Sequence, residues 1–258
     1  MAIKRSLAGV RIAITRPAGT GGALARRVRS LGGVPLMLPG SRLVAADDPG
    51  KARAALETAL ASDLVIFTSP AAVRFARRLA PLHSRAEVLA PGAGTRQALQ
   101  NAGCTNVVAP TREDSEGLLS LPVMQHVRGK RVGIIGAAGG RDLLERALAS
   151  RGAHVMHAHV YRRMPPNLDR RHAGALHRES RKPVYVLISS AGALANILAG
   201  LPDDARRSLL VGCAVASSER LADIAQKAGF TRVLRAGSAH ATELLAAVAA
   251  DRNGFGQG

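Results

Sequence analysis

The feature that most constrains this chain is a rhythm. Short apolar runs recur at 10–15, 34–38, 64–68, 87–91, 106–109, 131–136, 153–160, 184–189, 209–215 and 232–235. Each has the length of a strand, is rich in Val, Ile and Leu, and mostly does not alternate with polar residues. Strands buried on both faces of a parallel sheet read this way. Helix-period segments lie between them, among them 21–31, 71–79, 95–102, 141–151 and 218–228. Several stop at a glycine (Gly32, Gly103, Gly152, Gly229), a residue that accepts the left-handed turn of a helix end. Strands alternating with helices predict an α/β fold with parallel sheets and right-handed crossovers.

Ten such runs in 258 residues are many for one open sheet, so two five-stranded sheets in two domains are expected. A weak internal repeat agrees. Val65-Ile-Phe-Thr-Ser-Pro-Ala-Ala resembles Val186-Leu-Ile-Ser-Ser-Ala-Gly-Ala, and each is followed by a helix ending in Ala-Gly and then by a Leu-Leu helix. Pro-bearing stretches at 38–49 and 161–168 are the linker candidates. If both are linkers, residues 38–167 form a domain inserted into one built from 1–37 and 168–258.

Apolar residues make up 47% of the chain, which excludes global disorder. Aromatics are 2% with no Trp, which argues against stacking platforms for bases. The formal charge of +18 points to an anionic partner, but the arginines are scattered rather than gathered in an arm. Compositional bias accounts for them as readily as an anion-binding surface, and both readings stay open. Cys104 and Cys213 make no ligand pattern and read as free buried thiols of a reducing compartment. No signal peptide and no bilayer span is expected, which places the protein in the cytoplasm.

Ligands of parallel α/β sheets bind beyond the carboxyl ends of the strands. The residues there are Thr15-Arg16, Thr68-Ser69, Pro91-Gly-Ala-Gly94-Thr95, Gly136-Ala-Ala-Gly-Gly140-Arg141, Tyr161-Arg-Arg, Ser189-Ser190 and Ser217-Ser218. Hydroxyls, glycines and arginines at helix starts suit carboxylates or phosphates. Any one hydroxyl there is explained by helix capping, and the recurrence carries more weight than any member. No dinucleotide fingerprint, P-loop, nucleophile elbow or Ser-His-Asp set is identifiable. His154, His157 and His159 cluster, with His157 and His159 on one strand face and no carboxylate nearby, and read as a surface group rather than a metal site. Tyr161 ends a strand beside a linker. A phenol there donates a proton while neutral at pH 7, or else fills a hinge.

The ordered set Ile-Thr-Arg-Pro, Val-Ile-Phe-Thr-Ser-Pro-Ala-Ala-Val, Pro-Gly-Ala-Gly-Thr-Arg-Gln-Ala-Leu, Gly-Ala-Ala-Gly-Gly-Arg-Asp-Leu-Leu, Val-Tyr-Arg-Arg and Val-Ala-Ser-Ser-Glu-Arg-Leu resembles the uroporphyrinogen-III synthase family across residues 10–248. The resemblance implies two flavodoxin-like domains with parallel five-stranded sheets, joined by a two-stranded linker, with the active site in the cleft. It implies a cyclase in heme biosynthesis that converts hydroxymethylbilane to uroporphyrinogen III, inverting the last pyrrole ring and losing water, with no cofactor and no metal. By the same resemblance Tyr161 is the candidate proton donor, and Arg16, Ser69, Thr95 and Ser190 match the family's substrate-binding positions. The strand-end pattern adds Thr15, Gly94, Gly140, Arg141, Ser189, Ser217 and Ser218 as substrate-binding candidates. The family's second threonine loop is where this chain departs, with Ser217 and Ser218 standing there. A monomer is expected, meeting hydroxymethylbilane synthase transiently, with no membrane and no specific nucleic acid as partner. Two alternatives remain: a non-catalytic two-domain binder of anions or nucleic acid, and a degenerate paralogue of the synthase.

Overall fold

The computed structural model describes residues 6–139, 142–177 and 184–255. The strands are β1 (Arg11–Ile14), β2 (Val34–Met37), β3 (Arg42–Ala45), β4 (Leu64–Phe67), β5 (Glu87–Leu89), β6 (Val107–Val108), β7 (Arg131–Ala137), β8 (His154–Met164), β9 (Val184–Leu187), β10 (Cys213–Ala216) and β11 (Arg232–Arg235). The helices are α1 (Gly22–Ser30), α2 (Pro49–Leu60), α3 (Pro70–Leu79), α4 (Ala93–Gln100), α5 (Ser115–Ser120), α6 (Pro122–Gln125), α7 (Asp142–Ser150), α8 (Arg170–His177), α9 (Ala191–Gly200), α10 (Asp203–Leu210), α11 (Glu219–Lys227) and α12 (Ala241–Phe255). They fall into two compact units. A split unit takes the chain up to Leu43 and again from Met164, and an inserted unit runs Val44–Arg163.

The split unit holds a five-stranded sheet, β2-β1-β9-β10-β11, with every pair parallel. Alternate residues of its strands enter opposite cores. Ala13, Val186 and Ala214 meet Leu194, Ile197 and Leu221 of α9 and α11, while Ile12, Ile14, Leu187 and Val215 meet Val28 of α1 and Val248 of α12. Both faces are covered, which is why the strands read as continuous apolar runs.

The second sheet, β6-β5-β4-β7-β8-β3, has six strands, where the sequence pointed to five. Pairs β4–β5, β5–β6, β4–β7 and β7–β8 are parallel. The extra strand is β3, four residues within the stretch expected to be a linker, and β8 runs on to Met164 through part of the other. A four-residue strand so soon after Pro39-Gly40 has too few positions to show a period. The run at 209–215 also divides: Leu209 and Leu210 end α10, and the strand begins at Cys213. Leu64, Ile66, Val132 and Ile134 pack on Leu118, Met124, Leu144 and Leu148 of α5, α6 and α7. The opposite face carries α2, so close that a Cβ on Gly133 would collide with the Ala59 carbonyl.

The two sheets share one spatial plan with different chain order. In the inserted unit β4, β5 and β6 lie side by side, and β7 and β8 extend the sheet from β4. In the split unit β9, β10 and β11 lie side by side, and β1 and β2 extend it from β9. The repeated sequence, 65–72 against 186–193, begins in β4 and β9, the same position in each plan. Counted along its own strands, the split unit has the order 2-1-3-4-5 and the inserted unit 3-2-1-4-5 before β3. Moving a strand pair from one end of the chain to the other interconverts them.

One irregularity bears on the site. On β7, Gly136 and Ala137 are consecutive, yet their partners on β8 are His159 and Tyr161. Val160 is therefore an extra residue, a bulge that changes which face the following side chain takes. Before it, Val155 packs into the α7 side and His157 reaches Glu145 of α7. After it, Tyr161 stacks on Phe75 of α3.

Candidate functional site

Each unit ends its central strands in hydroxyls. In the split unit Thr15 closes β1 and is buried. Its Oγ1 donates to the Leu187 carbonyl of β9 at 2.6 Å and lies 3.1 Å from Ser189 Oγ. The Ser189 amide donates back to Thr15 Oγ1 at 3.0 Å. This clasp sits where the chain leaves the sheet in opposite directions, the usual ligand position of an open α/β sheet. Ser190 is exposed and caps α9, accepting from Ala193 N at 3.1 Å. Ser218 caps α11, accepting from Leu221 N at 3.3 Å, with Ser217 half-buried before it. Arg16 is half-buried beyond Thr15.

In the inserted unit the equivalent clasp is Thr68, whose Oγ1 donates to the Ile135 carbonyl of β7 at 3.2 Å. Gly136 is required beside it, since a Cβ there would collide with Thr68 Oγ1. Ser69 caps α3, accepting from Ala72 N at 3.1 Å, and its Oγ is 3.2 Å from the Tyr161 hydroxyl. The Tyr161 ring stacks on Phe75 at 5.3 Å between centroids and 15° between planes, and Arg74 and Arg78 lie over the far ring at 5.3 and 5.4 Å. Such a stack fixes the phenol's orientation.

Gly94 and Thr95 lie within the first turn of α4, which starts at Ala93, rather than in a loop before it. Thr95 is buried and Gly94 exposed. The head of this helix already holds an anion: Glu113 Oε1 accepts from Ala93 N at 2.9 Å. Gly140 and Arg141 fall outside the described residues.

A pocket of about 210 Å³ opens at the ends of β4 and β7, lined by Thr68, Gly136, His157, His159 and Glu145 among others. The strand pattern alone places no carboxylate near the histidines. Glu145 of α7 corrects that, with Oε1 3.2 Å from His157 Nε2. A residue from the preceding helix is invisible to strand alternation. The imidazoles of His157 and His159 stack at 5.5 Å. Burial, and then the charge of His157, hold the His159 imidazolium below its ordinary range. Among the described residues no group of three or more His, Cys, Asp and Glu is arranged to hold a metal ion, and no helix is long and apolar enough to cross a membrane. Of the two thiols, Cys213 is buried but Cys104 only half so.

A family model described as Uroporphyrinogen-III synthase HemD matches residues 22–246. The chain belongs to the uroporphyrinogen-III synthase family. It is 33% identical over 244 residues to the uroporphyrinogen-III synthase of Salmonella typhimurium strain LT2, spanning 92% of this chain and 99% of that one. It is 32% identical over 250 residues to that of Escherichia coli K12, with the same shares covered. Two solved synthases share the fold. A mutant of the Thermus thermophilus protein aligns with a TM-score of 0.54 at 23% identity, over 95% of this chain and all of that one. The Helicobacter pylori 26695 protein aligns with a TM-score of 0.60 at 15% identity, over 94% and all. At these identities the structures speak to the fold alone.

Proposed function

We propose that this chain cyclises hydroxymethylbilane to uroporphyrinogen III, inverting the last pyrrole ring and releasing water. The observation that carries the reading is the match to family members along nearly the whole chain. The hydroxyl-bearing strand ends of both units agree with it. The chemistry asks little of strong catalytic groups. Loss of the hydroxyl from a hydroxymethyl-pyrrole is driven by the pyrrole nitrogen, and a general acid adds about a hundred- to ten-thousand-fold. Closure on the substituted carbon, through a spiro intermediate, is a matter of orientation. The substrate's acetates and propionates supply the handles for it. Ser189, Ser190, Ser217 and Ser218 of the split unit, and Gly94 of the inserted one, would hold them with backbone N–H groups and hydroxyls, aided by Arg16. The buried Thr15 and Thr95 would shape the strand and helix ends beneath them, and Ser69 would face the substrate at its leaving hydroxyl. Gly140 and Arg141 stay in that set on the sequence reading. Tyr161 would be the source of the proton for the leaving hydroxyl.

The finer reading treats the units as two flavodoxin-like domains joined by a two-stranded link, β3 with the end of β8. It takes the protein as a cytoplasmic monomer that needs no cofactor and receives its unstable substrate from hydroxymethylbilane synthase in a transient encounter. The deciding experiment supplies hydroxymethylbilane and separates the isomers formed. Type III is expected. Type I alone, the product of spontaneous closure, would sink the proposal.

A further inference from the structure

Tyr161 is poorly placed to touch a substrate. It is 2% exposed and covered by Phe75. The half-buried Ser69 lies at the strand end in front of it. A hydroxyl has one proton and two lone pairs. Ser69 Oγ spends one lone pair on Ala72 N. Among the described residues the Tyr161 hydroxyl has a single hydrogen-bond partner, Ser69 Oγ. A buried hydroxyl must place its proton on an acceptor, so Tyr161 donates to Ser69. That fills the second lone pair and leaves the Ser69 proton without an acceptor among the described residues. Ser190 caps α9 with nearly the same backbone, φ −169° and ψ 162° against −170° and 162° at Ser69, and no phenol stands behind it. Capping alone does not call for the tyrosine.

We propose that Ser69, not Tyr161, hands the proton to the leaving hydroxyl, and that Tyr161 replaces it in the same step. The inference rests on the synthase reading above. The C–O bond of the hydroxymethyl group breaks and its electron pair leaves with the oxygen. That oxygen takes the Ser69 proton and departs as water. Ser69 takes the Tyr161 proton, leaving a tyrosinate opposite a cationic pyrrole. The proton released when the closed ring regains its aromatic pyrrole returns to the tyrosinate, so the enzyme ends as it began.

The test measures kcat for type III formation in Ser69→Asn, Tyr161→Phe and the double variant. Asparagine is as good a helix cap as serine and can accept from Tyr161, but it has no hydroxyl to pass on. Each single variant should fall about a hundredfold, the double variant no further, and Ser69→Thr should recover most of the rate. Rates in mixed light and heavy water should curve for the wild type, with two protons moving, and become linear in Tyr161→Phe. Wild-type kcat in either single variant overturns the relay, as do losses that multiply in the double. A wild-type protein that yields only type I overturns the synthase reading and the relay with it.

Discussion

Glu113 holds the head of α4, a place where the sequence points to a ligand. Its carboxylate accepts the Ala93 amide, as a substrate carboxylate would, so the two compete for one donor and repel each other. Glu113→Gln should therefore tighten binding of a polycarboxylate tetrapyrrole severalfold, in line with about 0.3–1 kcal/mol for a charge at a helix terminus. Titration calorimetry with the product would read it, and unchanged affinity would free α4 of any ligand role. The thiols make a second residue-scale expectation. Burial pushes Cys213 up to about 11 and raises Cys104 as well. Cys104 is the less buried, so a thiol reagent should label it first, and Cys213 only as fast as the fold opens. Equal rates would contradict the packing around β10.

At the scale of elements, the capping serines were legible because Ser-Pro and Ser-Ala at a strand end are local signals. The facing of Tyr161 was not. By parity it belongs with His157 and His159, and only the bulge at Val160 turns it toward α3. Glu145 was hidden for a related reason, since its contact depends on how α7 lies over β8. Gly136→Ala tests the strand ends directly. The added methyl would displace Thr68, so turnover should fall about tenfold through lost orientation, with a drop in stability of about 1–3 kcal/mol from overpacking. A normal rate would mean Thr68 is free to move. The last helix has its own fastening. Tyr185 of β9 donates to Asp251 of α12 at 2.7 Å, and Arg232 of β11 grips the same carboxylate at 2.9 and 3.0 Å. Burial, then the hydrogen bond and charge of Asp251, push Tyr185 up to about 12. Unfolded, a tyrosine ionises near 10. The folded state holds this proton more tightly, so its stabilisation is whole below about pH 10 and is lost as pH rises through about 12. Denaturant midpoints across that window should decline less in Tyr185→Phe than in the wild type. Identical declines would assign the alkaline loss to other groups.

For the whole molecule, the alternation of strand and helix carried the α/β class, and the repeat carried the shared plan of the sheets. The swap of chain order between them was not legible, because pairing such as β1 with β9 leaves no local mark. The charge reads differently once its ion pairs are seen. Pairs such as Arg53–Glu57 and Arg206–Asp203 are exposed and add little stability. What the net charge of +18 does at long range is a separate matter, and steering of an anionic substrate is the effect to test. KM for hydroxymethylbilane should rise several-fold as salt shortens the Debye length from about 10 Å at 0.1 M to about 3 Å at 1 M, with kcat unchanged. A KM indifferent to salt would leave the arginines to composition alone.

The split unit also imposes a timetable. β1 is finished early in synthesis, but β9, its neighbour at the centre of the sheet, begins only at Val184. At about 5–20 residues per second the ribosome takes on the order of ten to thirty seconds to cover that gap. Throughout it, β1 exposes a bare edge, while every strand from β4 to β8 emerges and can pair. The inserted unit should be the first to fold on the ribosome. The N-terminal strands must then be kept from other partners until the end of their own chain arrives.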